Sequence, residues 1–243
     1  MNDRQDTSRV IALWSAPRAR STAFFRSVLE RGDLTALHEP FCNIADFGET
    51  TVDGRTVRTE RELIDAVRVL SARRPVFFKD TTDHRCPEVL ADGRFLGEVR
   101  HTFLIRHPDE IAASYYALRP EMTAEDIGLE QMYELYEAVA ATGQRPVVLD
   151  SEDLVRRPAE TMAAYCEAVG LPPRPEALNW RPGSRKEWRR TDRWHTDVSN
   201  SSGFSARSTE YAVTVRTSAS LAAFSARHEP FYRTLFDRRL IVA

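Results

Sequence analysis

The chain has 243 residues, of which 42% are hydrophobic and 29% charged. That is ample for one self-sufficient core and excludes both a disulfide-stapled mini-protein and an intrinsically disordered chain. A net charge of -2 withholds the broad positive field of a bulk nucleic-acid binder, so no nucleic-acid partner is expected.

Short, continuously apolar runs at 10–14, 34–37, 76–78, 102–105 and 146–149 alternate with helical patterns at 21–31, 60–73, 109–118, 124–142 and 158–169. Runs that are apolar throughout, rather than at every second residue, mark strands covered on both faces. The alternation predicts an α/β fold, a single domain over 1–243 with an open, mainly parallel sheet flanked by helices. Ligands of such sheets bind beyond the carboxyl ends of the strands. From 172 to 210 the texture changes to prolines, arginines and a Ser/Asn/Gly stretch. This predicts a long, loop-rich C-terminal segment rather than a second domain, and loops of that length are usually functional. A last helix is expected over 217–238. His-Glu-Pro-Phe occurs at 38–41 and again at 228–231, and the recurrence is read as coincidence.

Three cysteines, Cys42, Cys86 and Cys166, are odd in number and contain no C-x-x-C pair, which argues against a disulfide framework and a structural zinc site. Residues 1–8 are polar and are expected to be flexible. They lack the basic-then-apolar pattern of a secretory signal, and no apolar run approaches the roughly 18 residues of a membrane span. The expectation is a soluble cytoplasmic protein with no membrane association. All but two of the 34 Lys and Arg residues are arginine, the exceptions being Lys79 and Lys186. That bias is typical of a GC-rich genome.

The most informative stretch runs from Ile11 to Arg26, a buried strand entering a loop that opens a helix. Such a loop can aim backbone N–H groups at an anion, with Ser21 and Thr22 adding hydroxyls and Arg18 and Arg20 adding charge. Alternatively, Ser21 and Thr22 merely cap the helix. The loop has neither glycine nor lysine, so the Walker pattern of a magnesium-dependent ATPase or kinase is absent.

Ser15-Ala16-Pro17-Arg18-Ala19-Arg20-Ser21-Thr22 resembles the 5′-phosphosulfate loop of sulfotransferases that use 3′-phosphoadenylyl sulfate (PAPS). Ile105-Arg106-His107-Pro108, with Ser114 eight residues after Arg106, resembles the same family's second signature, which holds the nucleotide 3′-phosphate. The segment 148–158, with Ser151-Glu152-Asp153-Leu154, resembles its Tyr-Glu-Asp-Leu segment, and 168–171 the turn that follows it. The resemblance covers residues 10–180 in order and spacing. It implies a P-loop-like fold, PAPS as donor, adenosine 3′,5′-bisphosphate (PAP) as product and no catalytic metal. It departs from the family at Ala19-Arg20, where relatives carry glycine, and no residue matches the family's late basic loop.

By analogy with phosphoryl transfer, sulfuryl transfer asks the protein to align donor and acceptor and to neutralise charge on the leaving oxygen. The resemblance implies that Arg18 takes that role, within a nucleotide site of Ser15, Arg18, Ala19, Arg20, Ser21, Thr22, Arg106 and Ser114. A general base for the acceptor hydroxyl is sought at two strand ends. Glu39 follows the second strand in a Glu-Pro pair resembling the carbohydrate-modifying branch of the family. Asp83 and His84 follow the third, with Lys79 lending positive charge. Glu39 is preferred and His84 comes next, whereas His107 is read as structural. Trp180, Trp188 and Trp194 are read as loop packing and an acceptor wall, and segments 44–60, 119–126 and 180–210 as pocket walls. The leading reading is a PAPS-dependent sulfotransferase acting on a hydroxyl of a small molecule, as in bacterial specialised metabolism. Short length and the missing anchor argue against a Golgi-type enzyme. A nucleotide or metabolite kinase and a non-catalytic nucleotide-binding protein are the alternatives.

Overall fold

Six residues of the first strand, β1 (Val10–Ser15), are all buried, and the rest of the molecule is laid out on either side of them. The computed structural model describes residues 9–205 and 210–242, so the expectation for residues 1–8, and part of that for 172–210, falls outside the described residues. After β1 come α1 (Ser21–Arg31), β2 (Thr35–His38), α2 (Pro40–Phe47), a hairpin of β3 (Thr50–Val52) and β4 (Arg55–Val57), α3 (Glu60–Ser71) and β5 (Val76–Thr81). The chain continues through α4 (Pro87–Ala91), α5 (Gly93–Glu98), β6 (Arg100–Ile105), α6 (Pro108–Tyr116), α7 (Leu129–Ala141), β7 (Val147–Asp150), α8 (Ser151–Arg156) and α9 (Pro158–Val169). The short α10 (Thr196–Ser199) and the long α11 (Ala219–Asp237) complete it.

The main sheet has the order β2-β5-β1-β6-β7, and every neighbouring pair in it is parallel. It grows to one side of β1 with β5 and β2 and to the other with β6 and β7. The crevice at the carboxyl end of β1 is therefore the topological switch point where α/β sheets bind ligands. Continuous apolar strands find cover on both faces: Phe24 of α1 stacks near Phe77 and meets Tyr165 of α9 edge-on, while Trp14 packs against Phe41 and Phe78. The buried Trp14 indole donates to His101 Nδ1 at 2.9 Å.

The five expected strands and six expected helices are all present, with ends trimmed. The expected 124–142 helix is a 3-10 turn, Glu125–Ile127, then Gly128, then α7, because Gly128 at φ 75° leaves the helical region. Residues 172–205 hold two further 3-10 segments, Pro175–Leu178 and Lys186–Trp194, rather than a second domain. In the 44–60 segment, Asp53 and Gly54 have φ of 49° and 79°, the left-handed pair a two-residue hairpin turn requires. The second His-Glu-Pro-Phe lies within α11, where buried His228 donates from Nε2 to Ala124 O at 2.7 Å. The two copies share no structural role.

Gly128 carries a constraint beyond its φ. A Cβ there would lie 2.9 Å from the backbone carbon and oxygen of Thr82, in the segment that leads into the cleft. Gly128→Ala is expected to lower stability by about 2–3 kcal/mol in urea unfolding. Gly143→Ala, at φ 87° but with nothing within 4 Å of the added Cβ, should lose only the strain term of about 1 kcal/mol.

Candidate functional site

The loop between β1 and α1 turns without glycine. Arg18 at φ 59° and Arg20 at φ 64° both occupy the left-handed region, which costs a non-glycine residue about 1–2 kcal/mol. Contacts from across the sheet hold the loop there. Ala16 N donates to Leu104 O of β6 at 3.0 Å, and Arg106 Nη1, just beyond β6, donates to Arg18 O at 2.7 Å. Arg18 in turn donates from Nε to Ser114 Oγ at 3.0 Å and from Nη1 to Trp194 O at 2.7 Å. Arg20 is ion-paired with Glu152, at the start of α8.

No side chain caps α1, so the capping role considered for Ser21 and Thr22 is not what they do. Ser21 opens the helix, and Thr22 Oγ1 meets His195 Nδ1 at 2.9 Å. The cleft above has a volume of about 1550 Å³ and is lined by Arg18, Arg20, Ser21, Thr22, Arg106 and Ser114 together with Glu39, Lys79 and His84. Two expected site residues are placed elsewhere. Ser15 is fully buried, its Oγ donating to Ala16 O at 2.7 Å, and Ala19 is fully buried with its amide donating to Ala16 O at 3.2 Å. Both shape the loop from beneath rather than face the cleft.

The other half of the cleft is built at the ends of β2 and β5. Glu39, at φ 47°, sits at the N-terminus of α2, but its side chain leaves that helix uncapped. Asp80 of β5 does the capping from the adjacent strand, accepting Phe41 N at 2.6 Å and Cys42 N at 3.1 Å. Glu39 is thereby released to turn onto Lys79, the residue beside His38 in the β2–β5 register, and the two form an ion pair with Lys79 only 1% exposed. Burial works to raise the Glu39 carboxyl, but the Lys79 charge and hydrogen bond, with the neighbouring His38 and His195, outweigh it and hold it well below the usual carboxylate range. His38 and His195 are pushed down by burial, to about 4 and about 3, and are neutral at pH 7.

His84 faces a different environment. Its Nε2 lies 3.2 Å from Asp46 Oδ1, and that hydrogen bond, opposed by burial but assisted by Asp83, raises its pKa to about 9. It is protonated at neutral pH, the wrong state for a first proton acceptor. Asp83 is pushed up by burial, and its Oδ1 is buried with no partner among the described residues. His107 accepts from Asp109 N at 3.3 Å at the start of α6, the structural role expected of it.

Two groups bring metal-type ligand atoms within 4.8 Å of one another, His38/Glu39/His195 and Cys42/Asp83/His84. In the first, the Lys79 ammonium already sits on the carboxylate. In the second, burial and then Asp80 push the Cys42 thiol well up, which opposes the thiolate a metal needs. Sequence reasoning missed Asp80 and His195 as parts of this site, whereas Trp194, read as packing and a pocket wall, does line the cleft. Asp80 lies just past the apolar run 76–78, in the polar end of β5, and His195 lies in an arginine-rich loop with no spacing to mark it.

The model of the sulfotransferase domain family matches residues 8–238. The chain belongs to that family. Among solved structures, a sulfotransferase from Alicyclobacillus acidocaldarius shares its fold with a TM-score of 0.50 and 15% identity, over 95% of this chain and 96% of that one. Two Arabidopsis thaliana proteins, branched-chain-amino-acid aminotransferase-like proteins 1 and 2, are each 27% identical over 210 residues, or 81% of this chain. The chain spans about a third of their length, at 37% and 36% respectively. Among the described residues no helix is long and apolar enough to cross a membrane.

Two outcomes follow from the electrostatics of this sulfotransferase. Lys79→Met leaves the Glu39 carboxylate buried without its cation and should lower stability by about 3–5 kcal/mol, with Glu39→Gln in the same chain restoring much of the loss. Imidazole NMR should place the His84 titration near pH 9, and Asp46→Asn should move it toward the unfolded value of about 6.5. Because the folded pKa is the higher one, the contribution to stability is complete below about pH 6.5 and fades as pH rises through 9. The deficit of Asp46→Asn relative to wild type should fade over the same window.

Proposed function

We propose that this sulfotransferase takes its sulfuryl group from PAPS and transfers it to a hydroxyl of a small-molecule acceptor, releasing PAP. The observation that carries the reading is the convergence of Arg106, Arg18 and Ser114 on the β1–α1 loop through bonds of 2.7 and 3.0 Å. A second feature supports an anionic occupant. Burial, and next the charge of Arg20, lower the Arg106 pKa, and its Nε is buried without a partner among the described residues. Guanidiniums crowded in this way, above an uncapped helix N-terminus, favour a bound polyanion. Three unpaired cysteines support a reducing compartment such as the cytoplasm.

PAPS supplies an activated sulfuryl group whose bond to the bridging phosphate oxygen breaks as a bond to the acceptor oxygen forms. Arg18 neutralises the charge that collects on that bridging oxygen. Glu39 accepts the acceptor's proton, and Lys79 keeps its carboxylate ionised and oriented. A carboxylate with a depressed pKa is a weak base, which suits a loose transition state in which the hydroxyl proton leaves late. Arg20, Ser21 and Thr22 bind the phosphosulfate, and Arg106 and Ser114 the 3′-phosphate.

Calorimetry with PAP should show binding independent of Mg²⁺, weakened at least about tenfold in Arg106→Ala. With an acceptor in hand, Glu39→Gln should lower kcat about 10²–10³-fold while leaving PAP affinity unchanged. Binding of Mg²⁺-ATP in place of PAP would sink the reading in favour of a kinase.

A further inference from the structure

One wall of the cleft carries two exposed arginines that no carboxylate of the described chain pairs. Arg190 and Arg193 both line the cleft. Each is laid on an aromatic ring, Arg190 over Phe47 at 3.7 Å and Arg193 over Trp194 at 5.1 Å. Neither forms an ion pair among the described residues, in a molecule whose other cleft arginines are nearly all paired. The carboxylates nearby are already engaged: Asp46 faces His84, Asp126 accepts from Thr123, Glu110 faces Arg106 and Glu152 holds Arg20. Asp83 and Asp197 line the same cleft and neither reaches either arginine.

A guanidinium with its face against an aromatic ring keeps its donor edge free, the geometry that receives a planar oxyanion in bidentate fashion. The position of Arg190 is set by α2. Glu39 stands at one end of that helix and Phe47, under Arg190, at the other. Eight residues at 1.5 Å each separate them by about 12 Å. The segment that presents both arginines also delivers His195 to Thr22, so this anion site and the reacting centre are fixed by the same stretch of chain. The cleft volume of about 1550 Å³ exceeds the roughly 300–1,000 Å³ of an ordinary ligand pocket, which leaves room for an extended acceptor beside a nucleotide.

We propose that the acceptor is an acid: a hydroxyl compound carrying a carboxylate on the order of 10 Å from the reacting oxygen, bound by Arg190 and Arg193. The inference rests on the sulfotransferase reading above and deepens it by naming the substrate class.

The test is calorimetry on protein saturated with PAP, using para-hydroxyphenylpropionate as probe, with its methyl ester and the corresponding amine beside it. The acid should bind at least about tenfold more tightly than the ester, and more weakly as salt is raised. Arg190→Ala with Arg193→Ala should abolish that preference with PAP affinity unchanged, and Arg190→Glu should turn it toward the amine. Equal binding of acid and ester, no binding of the acid, or a preference that survives the double substitution would overturn the proposal. A double variant that loses PAP instead would assign these arginines to the nucleotide and overturn it as well. Failure of wild-type protein to bind PAP is a different result, since it removes the donor reading, and the acid-against-ester comparison on nucleotide-free protein then decides the anion site alone.

Discussion

A carboxylate held almost out of water against an ammonium on the next strand is the condition on which the cleft depends. Glu39 cannot be ionised in that position without Lys79, and Lys79 cannot be buried there without Glu39. The pairing is possible because β2 and β5 are parallel neighbours in a register that puts His38 beside Lys79. It further requires that something other than Glu39 cap α2, which Asp80 does from the same strand as Lys79. One strand therefore supplies both the cation for the candidate base and the anchor that frees it.

Backbone strain follows the same geography. Among the described residues, the non-glycine residues at positive φ are Arg18, Arg20, Glu39 and Asp53, and the first three line the cleft. Strain of this kind persists only where the surroundings over-determine it. Arg106 on the loop carbonyl and Lys79 on the Glu39 carboxylate are the enforcing contacts. Arg20 thus brings a charge to the loop at a position held in the left-handed region.

The sheet was legible in the sequence because burial on both faces leaves a mark that needs no tertiary context, a continuous apolar run. The half of the cleft at the end of β1 was legible for a related reason: Arg18 to Thr22, Arg106 and Ser114 sit in local patterns at strand ends. Asp53-Gly54 was a readable hairpin signal that the apolar scan passed over, since β3 and β4 carry little hydrophobicity. What could not be read is what long-range packing decides. Ser15 and Ala19 belong to the motif yet lie under it, a distinction made by which way the loop turns. Asp80 sits in a strand and does the work of a cap for a helix that starts forty residues earlier in the chain. His195 reaches the cleft only because Thr22 and Thr191 hold its two nitrogens at 2.9 and 3.1 Å.

The bond from Arg18 to the carbonyl of Trp194 joins residues 176 positions apart. All five strands of the sheet end by Asp150, so the residue whose carbonyl steadies Arg18 is made only after the last strand. Trp194 O is thus the last of the named partners of Arg18 to be made, after Arg106 and Ser114.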